Sequence, residues 1–150
     1  MTTTSHNRTG RAPVQTVALI VGAVFLLVGI LGFIPGITSN YGAMLFASDQ
    51  SDALLLGVFQ VSILHNIVHL LFGVAGLSVA RSFSGAKNYL IGGGVIYLVL
   101  WLYGLLVGKE SAANFVPLNT ADDWLHFVLG VGMIVLGVVL GRRVTTRRHT

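Results

Sequence analysis

Residues 54–80 read LLLGVFQVSILHNIVHLLFGVAGLSVA, a run without Lys, Arg, Asp or Glu that nevertheless carries two histidines and an asparagine. A stretch of about 18 or more apolar residues is the signature of a membrane span. Working outward, residues 14–34, 88–107 and 124–141 are free of charge in the same way. The four runs cover more than half of the 150 residues. Charged residues make up 9% of the chain and hydrophobic ones 54%, whereas a soluble domain carries roughly 25% charge. With no cysteine either, a soluble globule, a disordered tail and a disulfide-stapled secreted domain are all excluded.

Backbone groups in lipid must be satisfied within their own segment, so the runs are expected to be helices, four being too few for a barrel. At 1.5 Å per residue, 18–21 residues give roughly 27–32 Å, close to the ~30 Å hydrocarbon core. The run 54–80 is longer, so either it tilts or its start, Leu54–Phe59, stands outside the outer leaflet. The preceding loop, 35–53, mixes Gly, Ser, Asn and Asp with Tyr41, Met44, Leu45 and Phe46, which suits the membrane interface.

Charge sorting sets the topology. The N-terminal tail (Arg8, Arg11), the middle loop (Arg81, Lys87) and the C-terminal tail (Arg142, Arg143, Arg147, Arg148) hold eight of the nine cations. Loops 35–53 and 108–123 hold only Lys109 but all five acids: Asp49, Asp52, Glu110, Asp122 and Asp123. Lys and Arg gather on the cytoplasmic side, so both termini are expected inside. The net charge of +4 is thereby a topology signal; short tails without interleaved aromatics offer no nucleic-acid module. The first run is long for a signal peptide and no small-residue cleavage site follows it; Pro35-Gly36 reads instead as a stop beyond a helix end.

The expected architecture is an all-α integral membrane protein: a four-transmembrane-helix bundle, N-in and C-in. A cytoplasmic tail (1–13) and a basic tail (142–150) flank one transmembrane domain (14–141). Leu19-Ile20-x-Gly22 matches Leu90-Ile91-x-Gly93, and Asn66-x-x-His69-x-x-x-Gly73 matches Asp123-x-x-His126-x-x-x-Gly130. Together they suggest two repeated hairpins about an axis along the membrane normal. This matching pairs His69 with His126, whereas counting sixteen residues back from Arg81 and Arg142 places His65 level with His126. The nineteen glycines allow close helix packing within the bundle. Gly137-x-x-x-Gly141 and Gly104-x-x-x-Gly108 also have the spacing of a homo-oligomer face or of a contact with a partner membrane protein.

Ionisable groups inside spans are rare and point to function. His65, His69 and His126 are the candidates, with Asn66, Asp122 and Asp123 as supporting groups one helical turn away or less. Three readings stand. In the first, the imidazoles tie helices together through backbone carbonyls, Asn66 or Asp123. In the second they ligate a b-type haem, or copper or zinc. In the third they move protons or a solute beside Asp122 and Asp123. No phosphate loop, dinucleotide fingerprint, nucleophile elbow or His-Glu-x-x-His is present, and without cysteine there is no thiolate chemistry.

Certain strings carry a family resemblance: Gly32-Phe33-Ile34-Pro35-Gly36; Leu56-Gly57-Val58-Phe59; Leu64-His65-Asn66-x-x-His69-Leu70-x-x-Gly73-x-x-Gly76-Leu77; Asp123-x-Leu125-His126-x-x-x-Gly130. Over roughly residues 14–141 the chain resembles the actinobacterial four-span membrane family catalogued as domain of unknown function 4383. The resemblance implies four helices, a bacterial plasma membrane and a pattern containing His65, Asn66, His69 and His126, but no activity. The expectation is therefore a small multi-pass protein in contact with the lipid bilayer, structural or accessory rather than catalytic, with no resident cofactor. The alternatives are a haem- or metal-binding redox subunit and a small transporter.

Overall fold

The computed structural model describes residues 10–142; His6, His149 and most of the basic C-terminal tail lie outside them. Four α-helices carry the fold: α1 (Pro13–Leu31), α2 (Ile63–Val79), α3 (Phe83–Leu106) and α4 (Thr120–Leu140). Three of them, α1, α3 and α4, are long and apolar enough to cross a membrane; α2, with 17 residues, is shorter. Large apolar side chains face outward on every helix, among them Ile20, Leu71, Val99 and Val128.

The helix limits follow from local chemistry. Proline opens α1, where no N–H is needed, and Gln15 Oε1 accepts the Ala12 N–H at 3.0 Å. The Thr38 hydroxyl donates to Leu31 O and Gly32 O at 3.1 and 3.2 Å, joining the Ile34 N–H on Leu31 O at the carbonyl end of α1. Ser62, Ser82 and Asn119 cap α2, α3 and α4 by accepting the N–H groups of His65, Gly85 and Asp122. Charge-free runs therefore mark helix limits only loosely. α3 begins five residues before residue 88 because Ser82 caps it upstream of Lys87, and α4 takes in Asp122 and Asp123, which its N-terminal dipole favours.

The run 54–80 is not one helix. Its first nine residues form β2 (Leu54–Leu55) and β3 (Phe59–Gln60), which join β1 (Thr38–Ser39) in a small antiparallel sheet ordered β1-β2-β3. The break has a backbone cause: Leu56 and Gly57 turn at φ +54° and +71°, a conformation no α-helix contains, and Ser62 then restarts the chain as α2. An apolar run alone does not separate strand from helix. An all-α bundle was expected; this sheet is an addition to it, packed over the α1 end through Ala53, Leu55 and Val61 against Val28 and Leu31.

α1 packs chiefly on α2, and α3 on α4. Both hairpins cross at facing glycines. A Cβ on Gly73 would lie 2.5 Å from Leu26 N and 2.8 Å from Gly22 O, and one on Gly94 would lie 2.7 Å from Gly130 O. Gly137 and Gly141 face Leu90, Ile91 and Lys87 within the same chain. Between the hairpins Phe25 stacks on Tyr97, with ring centroids 5.3 Å apart and planes 7° from parallel.

Candidate functional site

Every buried polar or charged side chain among the described residues lies toward the end of the bundle that carries the sheet: Thr38, Ser51, Ser62, His65, Asn66, His69, Asn114, Asp122, Asp123 and His126. The opposite end is packed with apolar groups such as Val14, Ala18, Ala86 and Leu90. Within this polar cluster the three intrahelical histidines converge. One turn apart on α2, His65 and His69 stack at 4.5 Å and 12°. The His126 ring on α4 lies 6.5 Å from that of His65 and 5.1 Å from Tyr97, while Phe25 lies 5.6 Å from His69.

Their hydrogen bonds are sparse. His69 Nδ1 donates to His65 O at 3.0 Å; a carbonyl can only accept, so Nδ1 carries the proton and Nε2 of a neutral ring is left with the lone pair. Nδ1 of His65 and Nδ1 of His126 are buried without a partner. Such groups are rare in folded proteins and call for an explanation.

The expected support from Asp122, Asp123 and Asn66 takes a different form. Asp122 Oδ2 accepts the N–H groups of Gln60 and Asn119, both at 3.0 Å, so it fastens the sheet to the α4 cap. Asp123 Oδ2 is 2.5 Å from Lys109 Nζ, which also donates to Gly104 O at 2.7 Å. No hydrogen bond joins His126 to either aspartate among the described residues; both acids have nearer donors in the backbone and in Lys109. Asn66 lies across Gly32, where a Cβ would collide with it, as Asp123 lies across Gly104. Its Nδ2 is 3.8 Å from Met44 Sδ. These three residues thus anchor the segments that join α1 to α2 and α3 to α4.

The histidines separate two cavities. The larger, about 330 Å³, opens between α2 and α3 and is bounded by Val68, Ile96, Tyr97 and Leu100, with Phe115 and Val116 from the loop before α4. The smaller, about 100 Å³, lies between α4 and α1 under Leu55, Leu56 and Phe59 of the sheet. His65, His69 and His126 line both. Tyr97 was not singled out from sequence, although a hydroxyl-bearing ring in mid-run, away from the interface, was its signal. Phe115 and Val116 had none, since a loop folding back over a helix gap leaves no periodicity. Among the described residues no three His, Cys, Asp or Glu side chains are disposed to hold a metal ion.

Apolar helices of spanning length around a buried polar cluster place the chain with membrane-type helical proteins. It belongs to the family described as Domain of unknown function (DUF4383), whose profile matches residues 15–139. No curated protein and no solved structure matches it.

Proposed function

We propose that this chain is a non-catalytic, accessory protein of the bacterial plasma membrane, with four spans and both termini cytoplasmic, that binds a lipid-soluble molecule at its three histidines. The observation that carries the reading is the convergence of these three imidazoles on a cavity between α2 and α3. A role as ties between helices would call for hydrogen bonds across helices, and the bond that His69 makes stays within α2.

Four spans are supported by connectivity. Gln15 in the first turn of α1 donates to Ala80 O and Arg81 O at the end of α2, at 3.0 and 2.9 Å. If α1 crosses the bilayer, α2 returns across it, and its roughly 26 Å is met by modest local thinning. The cations Arg11, Arg81, Lys87 and Arg142 then share one end, and the acids share the other with Lys109.

Two repeated hairpins are supported by register. The buried positions 14, 18, 22, 25 and 32 recur at 86, 90, 94, 97 and 104, a constant spacing of 72 that pairs Gly22 with Gly94 and so corrects by one residue the match of Leu19-Ile20-x-Gly22 to Leu90-Ile91-x-Gly93. Positions 65, 66, 69, 73, 76 and 80 recur at 122, 123, 126, 130, 133 and 137, a constant spacing of 57. Helical periodicity alone does not match caps and contacts, yet caps Ser62 and Asn119 share the spacing of 57. The ring pairs Phe25–His69 and Tyr97–His126 correspond too. In this register His69 is the counterpart of His126, and His65 that of Asp122.

The binding reading is tested by organic extraction and mass spectrometry of full-length protein purified in mild detergent. A bound lipid-soluble molecule is expected in the wild type and lost when Leu100→Trp fills the cavity in a protein that still folds; a molecule-free wild type would overturn it. The haem reading rests on His65 facing His126 at 6.5 Å. A Soret band lost in His126→Ala would establish it. Because the chain has no cysteine, single-cysteine variants at exposed Gln50 and Ser84 test the topology. An impermeant maleimide added outside should label the first and spare the second; the reverse pattern would refute N-in, C-in.

A further inference from the structure

The two cavities occupy corresponding places in the two hairpins. Val68 and His69 at the α2–α3 gap correspond to Leu125 and His126 at the α4–α1 gap, and Leu100 corresponds to Val28. What differs is the outer loop that covers each gap. Residues 32–62 join α1 to α2, and the shorter segment 107–119 joins α3 to α4. The long loop builds the sheet and lays Leu55, Leu56 and Phe59 over its gap, leaving about 100 Å³. The short loop reaches its gap only with Phe115 and Val116, leaving about 330 Å³. In one hairpin the chain's own apolar and aromatic side chains fill the place beside the histidines; in the other that place is left for something else.

The walls state what that is. The lining of the larger cavity contains no Asp, Glu, Lys or Arg and is otherwise apolar and aromatic. A charged head would leave water without a fixed counter-charge, which costs several kcal/mol, so the guest is neutral. Its volume sits at the low end of the roughly 300–1,000 Å³ typical of ligand sites, room for a compact ring and the beginning of a tail. Val68 and Ile96 at its rim are about half exposed on the outer face, so a tail would pass between α2 and α3 into lipid. Flat aromatic groups form the interior, the stacked His65–His69 pair and Tyr97, and rings prefer such neighbours. Imidazole, unlike amide, hydroxyl or carboxylate groups, offers an N–H donor on one ring nitrogen and an acceptor on the other, exchangeable by tautomer. It therefore suits a head that presents a carbonyl in one state and a hydroxyl in another.

We propose that the α2–α3 cavity binds the head of a quinone-type lipid, with its ring against His65, His69 and Tyr97 and its hydrocarbon tail leaving between Val68 and Ile96. This rests on the binding reading above and names the ligand class for it. The test uses full-length protein in nanodiscs of synthetic phospholipid, titrated with a naphthoquinone bearing a saturated tail. Trp101 and Trp124 serve as quenched reporters, and displacement by an alkylbenzene of equal tail length serves as the ring control.

Saturable quenching is expected, weakened about tenfold by His65→Leu or His126→Leu, as loss of one buried hydrogen bond predicts. His126→Gln, which keeps a donor and an acceptor, should lose less, and unchanged helical circular dichroism guards against misfolding. If both probes saturate with equal affinity and the histidine variants change nothing, recognition of a quinone head is refuted while binding of an apolar molecule survives. If neither probe saturates in the wild type, both readings fall.

Discussion

Replacing Gly73 by alanine would place a methyl group 2.5 Å from Leu26 N, 2.8 Å from Leu26 Cα and 2.8 Å from Gly22 O. All three are backbone atoms, so no rotamer change relieves the contact. Ordinary contact begins near 3.4 Å, which requires α1 and α2 to part by roughly 1 Å at their crossing, in a site packed as tightly as a crystal. Overpacking of this kind costs about 1–3 kcal/mol. The absence of a yielding side chain puts Gly73→Ala at the upper end, about 3 kcal/mol, less about 1 kcal/mol gained from alanine's helix propensity. The net loss of roughly 2 kcal/mol is about a thirtyfold fall in the folded-to-unfolded ratio. At the corresponding position, Gly130→Ala would meet Leu98 Cδ2 at 2.8 Å and Gly94 O at 3.0 Å; a leucine tip can move, so its cost should be smaller. Gly132→Ala meets nothing within 4 Å and should be neutral or mildly stabilising. Reversible unfolding in mixed micelles of rising SDS fraction, followed by helical circular dichroism, ranks the three. If Gly73→Ala is as stable as Gly132→Ala, the glycine crossing does not set the α1–α2 distance and the reasoning fails.

Two other sites give predictions of the same kind. Lys109→Met leaves the buried Asp123 carboxylate without its cation. Because the lysine side chain is 38% exposed, the loss should fall below the 3–5 kcal/mol of a fully buried pair, about 1–3 kcal/mol; adding Asp123→Asn should restore part of it in the same unfolding assay. Asn119→Ala removes the α4 cap and the 2.7 Å bond from Asn119 Nδ2 to Val58 O. It should cost about 0.5–2 kcal/mol and speed hydrogen exchange at the Gln60 amide, which Asp122 holds beside that cap; unchanged exchange would separate the cap from the sheet.

Six of the buried polar residues were legible because each announces itself by type, whereas Tyr97, Thr38, Ser51 and Asn114, also buried, were not. A histidine, asparagine or aspartate deep in an apolar run or capping its start has no cheap place in lipid, so it turns inward, and His65, Asn66, His69, Asp122, Asp123 and His126 are all buried, whereas Asn88 at the edge of its run is exposed. Their partners were not legible. Asp123 has Trp124 and His126 as sequence neighbours, yet its charge is met by Lys109 fourteen residues earlier, because only the fold of the 107–119 loop brings an ammonium group there. Likewise nothing in the apolar letters of 54–62 separates strand from helix. The turn at Leu56-Gly57 and the waiting edge of β1 decide it, and the latter exists only once α1 has ended and Thr38 has folded back onto Leu31.

The sequence by itself determined where charge is excluded, where it is sorted by sign, and which side chains cannot face lipid. Those are properties of single residues and their helical period, and they suffice for apolar helices with three histidines in their interior. Tertiary structure decided that the histidines meet and that the aspartates serve the sheet and the 107–119 loop. It also decided that one of two corresponding gaps is covered by a sheet while the other stays open. These outcomes depend on distances between segments far apart in the chain, and on the unequal lengths of two loops whose reach is defined only after the helices have packed.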